Sequence, residues 1–311
     1  HGSTAYDFHG KKYIDFGSGI GTNALGFCNE QWLRAVIAQA EQIQHTSNLF
    51  CTMPAVLLAE RLCKITGYKK VFFGNSGAEA NEGAIKIARK YGMEKKGKKC
   101  NRIITLENSF HGRTITTLSA TGQDIFHHDF FPFTEGFQYI PANDSQALQE
   151  VVDDTVCAIM IELVQGESGV NVLEKDYVKE IEQICRENDI LLIVDEVQTG
   201  VGRTGTFLCC EQYGIYPSII TLAKELGAGL PIGAVLMDGR TGNVFRPGDH
   251  GSTFGGNPIV CAGSLEVLRQ VVDKDFLSDV HAKAEYMHKR LSVMPKVAGI
   301  SGIGLMFGLS L

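Results

Sequence analysis

From Glu30 to Gln44 the apolar side chains Leu33, Val36, Ile37 and Ala40 recur at the spacing of one helix face. Pro54 to Cys63 repeats that period with Val56, Leu57, Ala59 and Leu62, and Thr52 or Met53 stands before the proline as a helix start. Ahead of both, STAYDFHGKKYIDF alternates around Gly10, which predicts a small hairpin. FGSGIGTNALGF, with Gly17, Gly19 and Gly21, predicts a close-fitting loop instead of a regular element.

Past Cys63 the pattern becomes strand, helix, strand, helix. Val71 to Gly74 reads as a strand, Gly77 to Tyr91 as a helix and Arg102 to Leu106 as a strand. Cys157 to Glu162 and Ile190 to Asp195 read as strands around a helix with a core face of Val178, Ile181, Ile184 and Cys185. Ile219 to Leu222 is a further apolar run. Such runs, without a polar alternate, belong to strands covered on both faces, so the prediction is α/β: a mostly parallel sheet between helices. A helix from Asn257 to Val272 then leads away, and ISGIGLMFGLSL reads as a hairpin or strand of a second, smaller domain.

Composition narrows the class. Charged residues at 21%, hydrophobic ones at 44% and a net charge of −6 describe a globular protein with no nucleic-acid surface. No apolar run is long enough for a membrane span. Lys95, Lys96, Lys98 and Lys99 form the main basic run, read as a solvated loop after a helix. The nine cysteines are scattered without a C-x-x-C pair, which suits reduced thiols in the cytoplasm better than disulfides or zinc. His127, His128 and Asp129 look like a metal cluster only superficially, since no further ligand types recur at metal spacing. No metal is expected.

Two strand ends carry the candidate chemistry. Asp195 ends one apolar run, and Lys224 follows the next, so adjacent strands would bring an acid and an amine to one sheet edge. Pyridoxal phosphate would use both: the lysine amine holds its aldehyde as a Schiff base and the carboxylate pairs with its pyridine nitrogen. Asp195 as a helix cap and Lys224 as a solvated loop residue remain open on these positions alone. Gly74-Asn75-Ser76-Gly77-Ala78 opens a helix and could present backbone N–H groups to a phosphate, or be a packing turn. In Ser109-Phe110-His111-Gly112-Arg113-Thr114, Phe110 could stack on a flat ring and Arg113 could bind a carboxylate, or be a core Phe and a surface salt-bridge Arg. His111 is assigned to turn structure. Gly200-Val201-Gly202-Arg203-Thr204-Gly205 matches G-x-G-x-x-G, yet no helical period follows and no acid ends the next strand, which argues against a dinucleotide site. Asp249 to Pro258 is a polar, glycine-rich loop in which Thr253 could donate to a phosphate.

In order, NSGAEAN, SFHGRT, VQGE, DEVQTGVGRTG, LAKELGAGLPIGA and GDHGSTFGGNP resemble the class III pyridoxal-phosphate aminotransferases along almost the whole chain. SFHGRTITTLSATGQ and GDHGSTFGGNP look most like the members that act on N-acetylornithine. The resemblance implies the fold type I architecture, with 1–45 starting the small domain, 46–256 forming the large cofactor domain, and 257–311 a connecting helix and an incomplete small domain. It implies a homodimer with shared active sites, pyridoxal 5′-phosphate as cofactor, and an amino donor and 2-oxoglutarate as substrates. Lys224 matches the Schiff-base lysine and Asp195 the pyridine partner. Val197 and Phe110 match the two faces of the ring, and Gln198 lies near its phenolic oxygen. Gly77 and Ala78 match the phosphate turn, and Thr253 a phosphate ligand from the other subunit. Arg113 and Ser252 match substrate contacts, and Glu167 a glutamate that pairs with a later arginine, whose segment lies past Leu311. Ser168 departs from the family, which more often has glycine there.

Overall fold

The computed structural model describes residues 1–311. The chain opens with the hairpin β1 (Thr4–Tyr6) and β2 (Lys12–Ile14), in register Thr4 to Ile14. The glycine loop follows, and within it α1 (Ser18–Gly21) is a single turn, with Gly19 and Ile20 in left-handed backbone. Helix α2 (Glu30–Ala40) is capped by Asn29, whose side chain accepts from Trp32 N. It stops four residues before the predicted end, where Gln39 turns its amide onto the Ile43 carbonyl at 3.0 Å. Helix α3 (Met53–Thr66) carries Pro54 in its first turn and ends at Gly67 in left-handed backbone.

Then come β3 (Lys70–Gly74), α4 (Gly77–Lys96), β4 (Arg102–Leu106), α5 (Ile115–Ala120), β5 (Phe137–Ile140), α6 (Ser145–Val151) and β6 (Val156–Ile161). A short antiparallel pair, β7 (Val164–Gln165) and β8 (Asn171–Val172), precedes α7 (Lys175–Glu187), β9 (Leu191–Asp195), α8 (Cys210–Tyr213), β10 (Ile219–Leu222) and β11 (Gly233–Met237). The chain closes with α9 (Pro258–Val271), α10 (Lys274–Leu291) and the hairpin β12 (Gly299–Ile303) and β13 (Met306–Ser310). Helix α4 outruns its expected end at Tyr91: it continues through the buried Gly92, where a Cβ would come within 2.5 Å of Cys157, and stops at Gly97 with φ 96°.

The main sheet has seven strands in the order β3-β11-β10-β9-β6-β4-β5. Only β11 runs against the rest, pairing antiparallel with β3 and β10. Strands β9 and β10 are parallel neighbours, with Thr221 in register with Asp195. Side chains alternate across the sheet. Ile159, Ile161, Leu192, Val194, Ile220 and Leu222 face one core with α3, α7 and α9. Ile103, Ala158, Met160, Leu191, Ile193 and Ile219 face the other with α4. Alanines at 80, 84 and 88 let α4 lie close on the sheet. All the parallel strands therefore end on one edge, where their loops meet.

Candidate active site

A cleft of about 450 Å³ opens at that edge, lined among others by Ser76, Gly77, Ala78, Phe110, Arg113, Asp195, Val197, Gln198 and Lys224. Its parts come from loops far apart in sequence, each placed by the strand before it. Beside Asp195, the chain turns back so that Val197 N donates to Asp195 Oδ1 at 3.0 Å. Asp195 Oδ2 accepts from Asn81 Nδ2 at 2.7 Å and lies 2.9 Å from His111 Nδ1. With the carboxylate as acceptor, Nδ1 carries the proton. Asp195 is 5% exposed, and these donors compensate for the burial of its charge.

Lys224 sits two residues past β10, half-buried, in left-handed backbone with φ 37°. Its Nζ has no hydrogen bond or ion pair and lines the cleft. Opposite, Ser76 caps α4 by accepting from Glu79 N at 3.1 Å, which leaves the first N–H groups, those of Gly77 and Ala78, without intrahelical partners. Gly77 must be glycine, since a Cβ would come within 2.8 Å of Val197. That contact locks the turn after β3 against the turn after β9.

Arg113 is exposed and makes no ion pair, so the salt-bridge alternative is set aside. Its guanidinium lies 4.1 Å from the Phe126 ring centre and 5.4 Å from that of Phe110. All its donors are thus available at the mouth of the cleft. Phe110 is half-buried and borders the cleft. Gln198 packs its amide against Gly166, where a Cβ would meet Oε1 at 2.0 Å.

Three of the expected site residues stand outside the cleft. Ser252 is one step removed: its Oγ accepts from Asn75 Nδ2 at 3.0 Å, and Asn75 lines the cleft. Thr253 and Glu167 are exposed. The turn with Ser168 is closed by Asn171 Nδ2, which donates to Ser168 O at 3.1 Å.

The structure also brings in residues the sequence reading passed over. His111, read as turn structure, is a buried contact of Asp195. Asn81 ties the two together by donating to the His111 carbonyl as well, at 2.7 Å; its only signal is a polar side chain on the alanine face of α4. Glu162 directly follows β6, close to the position at which Asp195 ends β9, and that place at the strand end is its signal. It lines the cleft and accepts from Phe110 N at 2.8 Å, and burial, with Asp195 adding to it, holds its carboxyl well above the usual range.

This set fits pyridoxal 5′-phosphate on its own geometry. Asp195 Oδ1 takes a single N–H bond and keeps capacity for another donor, Lys224 has a free amine, and α4 offers open N–H groups for a phosphate.

Comparison with known proteins agrees. The family model described as aminotransferase class-III matches residues 1–311. The acetylornithine aminotransferase of Haemophilus ducreyi is 52% identical over 99% of this chain and 78% of its own length. That of Caldanaerobacter subterraneus is 49% identical over 99% of this chain and 79% of its own length. Among solved structures, the ornithine aminotransferase of Toxoplasma gondii superposes with a TM-score of 0.94 at 36% identity, covering 100% of this chain and 76% of that one. The N-acetylornithine aminotransferase of Stenotrophomonas maltophilia gives 0.87 at 33%, covering 100% and 79%.

Proposed function

The chain belongs to the class III aminotransferases, and on that premise we propose that it transfers the terminal amino group of N2-acetyl-L-ornithine to 2-oxoglutarate. The products are N-acetyl-L-glutamate 5-semialdehyde and L-glutamate, a step of arginine biosynthesis. The observation that carries this reading is the meeting of Lys224, Asp195 and the open turn at Gly77 in one cleft of a chain 52% identical to an acetylornithine aminotransferase.

When bound, pyridoxal 5′-phosphate supplies an electron sink for the amine-bearing carbon and a store for the amino group between the two half-reactions. Asp195 keeps a proton on the ring nitrogen, and His111 and Asn81 hold its carboxylate in place. The N–H groups of Gly77 and Ala78 bind the phosphate, with the dipole of α4 adding roughly 0.3 to 2 kcal/mol. Val197 and Phe110, which both line the cleft, would cover the two faces of the ring and exclude water. Lys224 Nζ, the free amine in the cleft, would hold the cofactor's aldehyde and, once released, would accept and carry the proton of the donor's amine-bearing carbon. Arg113 binds a substrate carboxylate in paired hydrogen bonds, and Gln198 orients the phenolic oxygen.

A homodimer with shared sites completes this reading. Thr253 is exposed outside the cleft of its own chain, as a phosphate ligand delivered to a second copy must be. Around it Phe254 is 61% exposed and Leu49 88%, an apolar surface suited to such a partner. Ser252 and Glu167 then serve the substrate, the latter by pairing with an arginine. No helix is long and apolar enough to cross a membrane. We place the protein in the cytoplasm, where its nine free cysteines stay reduced.

The likeness to the Toxoplasma ornithine aminotransferase makes free ornithine the second reading. Visible absorbance of the cofactor-loaded protein separates the two. N-acetylornithine without a keto acid should bleach the band, 2-oxoglutarate should restore it, and Lys224→Ala should show neither change. A band that responds to ornithine and ignores the acetylated donor would replace the first reading with the second.

A further inference from the structure

The arginine of the G-x-G-x-x-G stretch reaches the lysine turn. Arg203 Nε donates to Glu225 Oε1 at 3.0 Å, and Arg203 Nη2 donates to the Gly21 carbonyl at 3.1 Å. The Glu225 side chain is 1% exposed and that of Arg203 15%. Glu225 is the residue after Lys224. The other carboxylate oxygen of Glu225, Oε2, is buried without any partner.

Two facts ask for a reason. A buried ion pair is a weak stabiliser, since desolvation cancels most of its attraction. And Lys224 holds a left-handed φ of 37°, a conformation that persists only where its surroundings over-determine it. The turn behind it is tight, with Gly227 N donating to Lys224 O at 3.0 Å and Ala228 N to Glu225 O at 3.1 Å. Fixing the Glu225 carboxylate therefore fixes the direction in which Lys224 leaves the backbone.

We propose that Arg203 is a positioning residue for Lys224, acting through Glu225, and that the same guanidinium fastens the N-terminal glycine turn at Gly21 beside the cleft. Thr22, next to Gly21, lines that cleft. Arg203 is itself held from the far end of the chain. Its carbonyl accepts from Leu305 N at 3.0 Å, and Gly304 approaches Thr204 so closely that a Cβ would lie 2.5 Å from its Cα. Arg203 thus meets the N-terminal turn and the lysine turn through its side chain and the hairpin β12–β13 through its backbone.

The proposal rests on Lys224 as the cofactor lysine, and its test keeps the two apart. In the cofactor-free full chain, pyridoxal is added, trapped with borohydride, and the labelling rate of Lys224 is read by peptide mapping, alongside the melting temperature and the affinity for pyridoxal 5′-phosphate. Arg203→Met should lower both labelling and affinity about ten- to hundredfold, the scale of a displaced reacting group. Arg203→Lys, which cannot make both bonds at once, should fall between. A folded Arg203→Met protein that labels Lys224 and binds cofactor like the wild type overturns the proposal, whatever its melting temperature. If Arg203→Met does not fold, Glu225→Gln decides by the same readouts, with unchanged labelling and affinity as the overturning result. A wild-type protein that takes up no cofactor at Lys224 would instead sink the functional reading.

Discussion

His111 Nδ1 stands 2.9 Å from Asp195 Oδ2 in a pocket where the histidine is 2% exposed and the aspartate 5%. The contact joins the loop after β4 to the end of β9. It gives the histidine a task that its place in a turn does not suggest.

Replacing that histidine should weaken the electron sink without touching the substrate. Hydrogen bonds to a charged group contribute about 1.5 to 3 kcal/mol. His111→Phe keeps a ring in the cavity and removes the donor, so kcat should fall about ten- to hundredfold. The KM of the amino donor should stay within about threefold, because no substrate-binding group has changed. Steady-state kinetics check this. Equal kcat, or a loss confined to KM, would remove His111 from the cofactor side of the site.

Arg113 offers a contrasting case. Its guanidinium rests on Phe126 and Phe110 and has no ion pair to lose. Arg113→Ala should therefore leave the melting temperature nearly unchanged, since exposed substitutions of this kind cost under about 0.5 kcal/mol. The KM for a carboxylate-bearing substrate should rise about tenfold or more, the value of a paired charged hydrogen bond. Arg113→Lys keeps the charge and loses the fork, so it should restore only part of the binding. Cofactor affinity that drops before substrate affinity in titrations would count against this role.

How far the sequence discloses the site depends on whether a residue's task is set by its own segment. Asp195 and Lys224 are legible because each follows an apolar strand, and parallel strands end on a common edge. The turn at Gly77 is legible because a small-residue loop opens a helix. His111 and Asn81 are not, as they meet Asp195 across 84 and 114 residues of chain and no local pattern records the meeting. Arg203 hides for the same reason, inside a motif that suggests another chemistry. In the fold, β11 escapes because its five residues follow directly on the glycine-rich lysine turn, with no helix to announce a new strand. After Gly205 the chain runs without regular structure to the single turn of α8 at Cys210–Tyr213.

Glu196, next to Asp195, leads to a prediction about stability. It is 1% exposed, and its carboxylate accepts from Cys209 N at 2.6 Å and Cys210 N at 2.8 Å. Those bonds favour the charged form, but burial outweighs them and pushes the carboxyl up to about 7 from the ordinary 4.5. The folded protein thus holds this proton more tightly than the unfolded chain does. Its contribution to stability is greatest below pH 4.5, is lost as the pH rises from there to about 7, and is constant above. Across that window of 7 − 4.5 = 2.5 pH units, the loss is on the order of 3 kcal/mol at about 1.4 kcal/mol per unit. Glu225, also raised to about 7, adds a slope of the same sign. Glu196→Gln removes one titration and leaves the other. Denaturant unfolding at pH 5.5, 6.5 and 7.5 should show the wild type losing stability more steeply than the variant by up to about 1.4 kcal/mol per unit. Parallel curves would mean that Glu196 stays ionised in the fold, held so by the two N–H bonds.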